Sequence, residues 1–236
     1  MTKHGKNYEQ TMGLVDKLQS YSPVEAIDLA KQAKYARFDE TFELHLRTGA
    51  NPRSADQQVR GVAMLPHGLG KKVRILVFSE GEAANIAEEA GADYVGSDDL
   101  VGKIEAGWLD FDAAVATPEV MNKVVKLGRI LGRRGLMPNP KSGTIVPAQD
   151  LPRVINEARK GRVEFRLDRT GIIHLPIGKA SFDTEKLVEN MAAIIEAIIK
   201  ARPSGVKGQY IQGMSLCTTM GPGIKLDIKS TLALAA

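Results

Sequence analysis

Arg129–Gly143 reads RILGRRGLMPNPKSG, with four cationic side chains (Arg129, Arg133, Arg134 and Lys141), three glycines, two prolines and no acid. It lies within Val120–Pro147, which carries six Lys/Arg and no Asp or Glu, whereas Glu80–Glu119 holds eleven acids and a single base, Lys103. Charge is therefore sorted along the chain. Glycine and proline interrupt regular structure and leave neighbouring backbone N–H groups open, and fixed positive charge beside them suits a polyanion such as a phosphate backbone. A solvated loop at a helix end accounts for the same residues equally well. The run gives a direction, towards a polyanion, rather than an assignment.

Other chemistry finds less support. The turn after Val73–Phe78 is Ser79-Glu80-Gly81-Glu82. It lacks the three-glycine dinucleotide fingerprint and puts acids where a pyrophosphate would sit. His67-Gly68-Leu69-Gly70-Lys71 has the flavour of a phosphate loop, but its spacing is wrong and it precedes a strand instead of a helix. Gly128, Gly132 and Gly135 fit no such pattern either. His4, His45, His67 and His174 are scattered, with no helical pair. The lone cysteine, Cys217, excludes an internal disulfide and a Cys-based zinc cluster, and within YIQGMSLCT it reads as a small buried thiol. Asp98-Asp99 and Asp110/Asp112 sit among other acids, as on a solvated face, and no Gly-x-Ser-x-Gly elbow is present. No catalytic residue, metal ligand, cofactor or small-molecule substrate is assigned.

Recognition remains. Thr218–Gly223 (TTMGPG) joins two strand-like segments without one charge. It is a tight turn whose glycines supply special backbone angles, or a surface whose hydroxyls, open backbone and soft Met220 meet sugar 2′-OH groups and base faces. Arg37-Phe38-Asp39-Glu40 offers a cation beside an aromatic; Phe38 either stacks on a base or belongs to the core.

These segments need elements to hold them. The first dozen residues are polar and are read as mobile. Ser22-Pro23-Val24-Glu25 forms a capping box with Pro at the first helical turn. It predicts a helix to about Tyr35, with Val24, Ile27 and Ala30/Lys31 on one face. Thr41–Arg47 alternates strictly, Phe42, Leu44 and Leu46 to the core and Thr41, Glu43, His45 and Arg47 to a wet face, as in an antiparallel sheet solvated on one side. Val59 onwards passes through a strand into the glycine- and proline-rich joint Pro66–Gly70. From Val73 the texture changes. Strands at Val73–Phe78, Ala92–Val95 and Phe111–Ala116 alternate with helices at Glu82–Ala90, Asp98–Ala106 and from Pro118 to Leu131, which predicts a small parallel α/β unit. A helix over Leu151–Lys160 closes at Gly161. Alternation then returns in Arg162–Leu167 and Ile173–Ile177, read as a hairpin about the turn Asp168–Gly171. A long helix follows from Asp183, with Leu187, Val188, Met191, Ile194, Ile195, Ile198 and Ile199 as its apolar face, until Pro203 ends it. Strands at Tyr210–Cys217 and Ile224–Ile228 complete the pattern. The reversion makes residues 69–159 an α/β insertion in an α+β domain.

Composition sets the outer bounds. The 236 residues, 43% hydrophobic and 25% charged, suit one large domain or two ordinary ones with a sizeable core. A net charge of +4 and pI near 9.1 are compatible with a nucleic-acid partner without requiring one. No apolar signal core opens the chain and no stretch approaches a membrane span, so the expected compartment is the cytosol, with no membrane partner.

Taken together, the motifs resemble the bacterial L-one family of large-subunit ribosomal proteins. The resemblance covers the chain from about residue 20. It rests on Arg37–Thr41, Asp56–Gly61, Leu65–Lys71, Gly91–Val95, Trp108–Asp112, Ala116–Pro118, the run from Arg129, Lys179–Phe182 and Thr218–Pro222. It implies the two-domain ribosomal stalk-protein fold: a discontinuous α+β RNA-binding domain (1–68 and 160–236) and an inserted α/β Rossmann-like domain (69–159), joined by a hinge near Pro66–Gly70 and Arg159–Gly161. It further implies no enzymatic activity and a ribosome-associated place in the mobile side stalk. The implied partners are large-subunit ribosomal RNA, exit-site transfer RNA and the chain's own operon messenger. Site residues carried over are Arg37, Phe38, Thr41, Glu43, Asp168, Thr170, Thr219, Met220 and Gly221, with Arg129, Arg133, Arg134 and Lys141 as a secondary basic surface. Two departures stand out. Arg133 replaces a usual proline, adding charge and loosening the loop, and Gly213 replaces a frequent serine or lysine. The competing readings are a non-ribosomal RNA-binding repressor or processing factor, and an α/β enzyme holding a nucleotide in the insertion.

Overall fold

The computed structural model describes residues 5–235. They form two compact units, 5–70 with 163–235, and 71–162.

The discontinuous unit is built on a four-stranded sheet in the order β7-β1-β8-β9. Its strands are β1 (Thr41–Thr48), β7 (Ile172–Lys179), β8 (Ile211–Thr218) and β9 (Ile224–Lys225), with β1 antiparallel to both neighbours. The alternation of β1 decides its faces. Phe42, Leu44 and Leu46 are fully buried, while Thr41, Glu43, His45 and Arg47 look outward. The core face is covered by α2 (Pro23–Gln32) and α8 (Thr184–Lys200), which bring in Ala26, Ile27, Leu187, Met191, Ile194 and Ile198. The capping box is present, with Ser22 and Glu25 each satisfying the other's backbone N–H. Val24 is exposed, however; the buried stripe of α2 runs through Pro23, Ala26, Ile27 and Ala30.

The polar start is not a mobile tail throughout: Lys6–Met12 is a short helix, α1, with Thr11 buried and Val15 reaching the core just beyond it. Arg162–Arg166 (β6) and β7 are not a hairpin. β6 leaves to pair with β2 (Arg60–Met64) in a separate two-stranded sheet, and β7 pairs with β1. The two strands approach closely: the Phe165 ring fills the space over Gly61, where an added Cβ would meet it at 2.6 Å. Ile199 is exposed on α8, and the chain ends in a helix, α9 (Ile228–Ala233), begun by Asp227 as its cap. Within the apolar face of α8 sits a fully buried Asn190. Its amide donates to Gly68 O (3.0 Å) and Ile177 O (2.8 Å), and its oxygen accepts from His67 N (3.1 Å).

The second unit holds a parallel sheet, β4-β3-β5, made of β3 (Ile75–Phe78), β4 (Tyr94–Gly96) and β5 (Ala113–Ala116). All four residues of β3 are buried because both faces are covered. Leu76 and Phe78 join a cluster with Ile104 of α4 (Asp98–Glu105) and Leu131 of α6 (Gly128–Arg134). Ile75 and Val77 join the opposite cluster with Ala87 of α3 (Glu82–Glu89) and Ile155 of α7 (Leu151–Lys160). The helix expected from Pro118 is segmented, with 3-10 turns on either side of α5 (Met121–Val124) before α6. Gly161, left-handed at φ 108°, stops α7. Among the described residues no helix is long and apolar enough to cross a membrane.

Candidate nucleic-acid interface

One end of the four-stranded sheet gathers the Arg37–Glu43 segment, the turn Thr219–Gly221 and the end of β7. The organiser is Glu40, a fully buried carboxylate that accepts from Ala36 N (3.1 Å) and Met220 N (3.0 Å). Tyr35 adds a hydroxyl bond to Met220 O (2.9 Å). Thr219 is locked to Thr41: its N–H donates to Thr41 O (3.0 Å), and its hydroxyl accepts from Thr41 N–H at 2.9 Å. Gly221 donates to Thr218 Oγ1 (3.1 Å), and a Cβ there would collide with the same oxygen, so the turn needs glycine. Held this way, Phe38 and Met220 stay 52% and 46% exposed, which removes Phe38 from the core. Two large apolar side chains kept in water by a rigid polar frame suit stacking or sugar contact.

The end of β7 contributes what the sequence reading did not single out. Lys179 Nζ donates to Thr41 Oγ1 (2.8 Å) and Asp39 O (3.3 Å), placing an ammonium beside the turn. Ser181 binds the Asp39 carboxylate through its N–H (3.0 Å) and hydroxyl (2.7 Å), fixing the loop that carries Arg37 and Phe38. The motif Lys179–Phe182 carries both groups, and their place in the site comes from contacts with Asp39 and Thr41.

Asp168 and Thr170 lie elsewhere. They precede β7 at the Arg47 end of β1, six residues of extended strand from Thr41, about 20 Å. Between the two ends runs the wet face. His45 Nδ1 meets His174 Nδ1 at 2.8 Å, His45 Nε2 meets Cys217 Sγ at 3.1 Å, and Glu43 sits one alternation along. Burial, then the neighbouring His174, lowers the pKa of His45 against the raising influence of Glu43. Burial, with Glu43 beside it, pushes the Cys217 thiol up to about 11; the thiol is half-buried and protonated. Beyond His45 the face opens into a groove of about 600 Å³ lined in part by Arg47, Gln212, Gly213, Ser215 and Lys229. Gly213 leaves this groove open where a longer side chain would enter it.

A profile of the ribosomal protein L1p/L10e family matches residues 29–222. The chain belongs to this family. It is similar to the large ribosomal subunit protein uL1 of Dehalococcoides mccartyi, with 59% identity over 234 residues covering 99% of each chain. The proteins of the same name from Thermomicrobium roseum (58% over 233 residues, 98% of this chain and 97% of that one) and Chloroflexus aurantiacus (55% over 228 residues, 96% of each) are comparably near. The L1p/L10e family is structural, not enzymatic.

In this L1p/L10e chain the basic run lies wholly in the second unit. Its first half is not a loop. Arg129, Arg133 and Arg134 project from α6, which ends at the left-handed Gly135 (φ 72°), and Lys141 follows in a 3-10 turn. Arg133 does not loosen the segment; it continues the last helical turn, where cations favour the carbonyl end of the helix dipole. The three arginines, with Leu109 and Ile130, line a hollow of about 310 Å³. The acids of the preceding stretch are partly neutralised by other bases: Lys123 reaches Glu80 (2.5 Å) and Asp98 (2.7 Å), and Lys71 reaches Asp112 (2.5 Å).

Proposed function

We propose that the chain is a structural constituent of the large ribosomal subunit, cytoplasmic and ribosome-associated, that binds a folded segment of large-subunit ribosomal RNA. The discontinuous unit is the RNA-binding domain and the parallel α/β unit is its Rossmann-like insertion. The observation that carries this reading is the convergence of two segments 178 residues apart, Arg37–Glu43 and Thr219–Gly221, with Glu40 buried between them and Phe38 and Met220 exposed. Recognition is by shape, sugar hydroxyls and stacking inside a frame of phosphate contacts. Phe38 and Met220 pack on base or sugar, Gly221 allows close backbone approach, and Arg37 with Lys179 faces phosphate. The Thr219 hydroxyl is already engaged with Thr41, so Thr219 acts as a brace, and Thr41 Oγ1, which accepts from Lys179, keeps its own proton for the RNA. Glu43, Asp168 and Thr170 extend the contact along the wet face. By family resemblance the chain also assists release of deacylated transfer RNA from the exit site and represses translation by binding its own messenger; Arg129, Arg133, Arg134 and Lys141 are the secondary basic surface for passing RNA.

The test is chemical footprinting of large-subunit RNA together with co-sedimentation. One compact protected site, and retention on large subunits at high salt, are expected. Protection of messenger alone, without retention, would favour a repressor outside the ribosome. A thermal shift with nucleotides would favour an enzyme.

A further inference from the structure

We propose that Glu43, His45 and Cys217 form a binding site for a divalent transition ion, with Zn²⁺ the best chemical match, on the wet face of the four-stranded sheet. The three residues are scattered in sequence but brought together by register. Glu43 pairs with Cys217 across β1 and β8, and His45 follows Glu43 on the same face of β1. One ligand atom from each lies within 4.8 Å of the other two. All three stand on central, rigidly paired strands, which hold a donor set better than loops do.

The donor set is one imidazole nitrogen, one sulfur and one carboxylate oxygen, the mixture that zinc accepts and that calcium or magnesium does not. A divalent ion, a thiolate and a carboxylate sum to zero charge, which suits a half-buried position. His45 Nε2 and Cys217 Sγ are 3.1 Å apart. Usual metal–nitrogen and metal–sulfur bond lengths in a tetrahedral site put such atoms about 3.5 Å apart, so this pair opens by less than half an ångström to admit the ion, and the Glu43 carboxylate, within 4.8 Å of both, swings in to complete the set. Three protein donors leave the fourth position to an exogenous ligand.

A second observation points the same way. A bond between two ring nitrogens needs one donor and one acceptor. His174 Nε2 faces Asp168 Oδ2 at 3.5 Å and carries its proton towards that carboxylate. His174 Nδ1 is then the acceptor, and His45 Nδ1 is the donor across the 2.8 Å contact. This tautomer leaves His45 Nε2 as a bare lone pair aimed at Cys217. Asp168 and His174 thus fix the orientation of His45 as outer partners do for a metal-bound histidine. His174 and Asp168 are positioning residues; Glu43, His45 and Cys217 are the ligands. On loading, the Cys217 S–H bond breaks, its electron pair goes to the ion and its proton goes to solvent.

The test is titration of the full, chelator-stripped chain with Co²⁺ in the absence of RNA, which separates the outcome from the RNA-binding reading. Expected are one equivalent bound, a near-ultraviolet thiolate-to-cobalt charge-transfer band, visible bands of tetrahedral intensity, and displacement by Zn²⁺. Cys217→Ser should abolish the charge-transfer band. His174→Ala should keep the band and weaken binding roughly 10–100-fold, the scale of a lost outer-shell partner. Glu43→Gln should weaken binding while leaving the far-ultraviolet circular dichroism of the apo chain unchanged. Absence of the band in the unmodified chain at millimolar cobalt, or its survival in Cys217→Ser, overturns the site.

Discussion

Thr219 is fastened to Thr41 three times: by its N–H to the Thr41 carbonyl (3.0 Å), by its hydroxyl accepting the Thr41 N–H (2.9 Å), and by the same hydroxyl donating to that carbonyl (3.3 Å). The turn after β8 is thereby registered against the first residue of β1, and the RNA-facing side chains ride on that registration. Thr219→Val keeps the shape and loses the hydroxyl bonds. It should weaken specific RNA-fragment binding by roughly 1–3 kcal/mol, with Thr219→Ser restoring most of it. Isothermal titration with the fragment decides; equal affinity for all three chains would remove the clamp from the site.

Phe38 and Met220 are large, apolar and about half exposed, so neither contributes much to the core. Their truncation separates binding from stability. Phe38→Ala and Met220→Ala should each reduce specific RNA affinity by roughly 1–3 kcal/mol, the scale of a stacking contact, while the denaturation midpoint stays within experimental error. A fall in midpoint with affinity unchanged would make the exposed pair structural.

Charge on the two units should behave differently. Arg37→Ala removes one exposed cation beside the proposed contact, so the slope of log affinity against log salt should flatten by about one phosphate's worth. Arg133→Ala with Arg134→Ala removes two cations from α6 and should leave affinity for the isolated RNA fragment unchanged. A large loss in the double variant would move the primary site to the basic helix.

Asn190 makes a different kind of statement, about the segment Pro66–Gly70. Its side chain is the buried partner of His67 N, Gly68 O and Ile177 O. Asn190→Leu would leave these backbone groups unpaired, and unfolding in urea should show a loss on the order of 2–3 kcal/mol. Asn190→Asp keeps the acceptor but turns a charge on two carbonyls and should be worse. Stabilities within roughly 0.5 kcal/mol of the unmodified chain would show that water or relaxation satisfies the segment.

What could be read from the sequence followed from local pattern. The period-2 alternation of Thr41–Arg47 marks both faces of β1, and the strand read over Val73–Phe78, alternating with helices, contains β3 of the parallel sheet. Ser22, Pro23 and Glu25 located the start of α2 to the residue. What failed was partnership at a distance. Arg162–Arg166 and Ile172–Lys179 look like a hairpin because they alternate on either side of a turn, but nothing local says that the first pairs with Arg60–Met64. For the same reason the local sequence gives Glu40 and Lys179 no role, since the role of each is a contact with another segment. His45, His174 and Cys217 are the sharpest case. They come from three strands, no spacing rule joins them, and only strand register brings them together.

Asp168 supplies a prediction about pH. Burial works against its ionisation, yet bonds from the Thr170 hydroxyl (2.6 Å), Ile172 N–H (2.7 Å) and Thr170 N–H (2.8 Å), joined by His174, outweigh it and hold the carboxyl at about 2. An unfolded aspartate titrates near 3.9, so the folded value is the lower one. The stabilisation from this group is therefore complete above about pH 4 and is lost as pH falls through about 2. Because the side chain is about a third exposed, solvent screening keeps the contribution small. The thermal midpoint of the unmodified chain should fall more steeply between about pH 4 and pH 2 than that of Asp168→Asn, which has no carboxylate to protonate. Thr170→Val deletes the closest of the bonds, and nuclear magnetic resonance titration should then find the Asp168 carboxyl shifted upward. An Asp168 that titrates near 4 in the unmodified chain would show that the turn does not hold its carboxylate as the geometry requires.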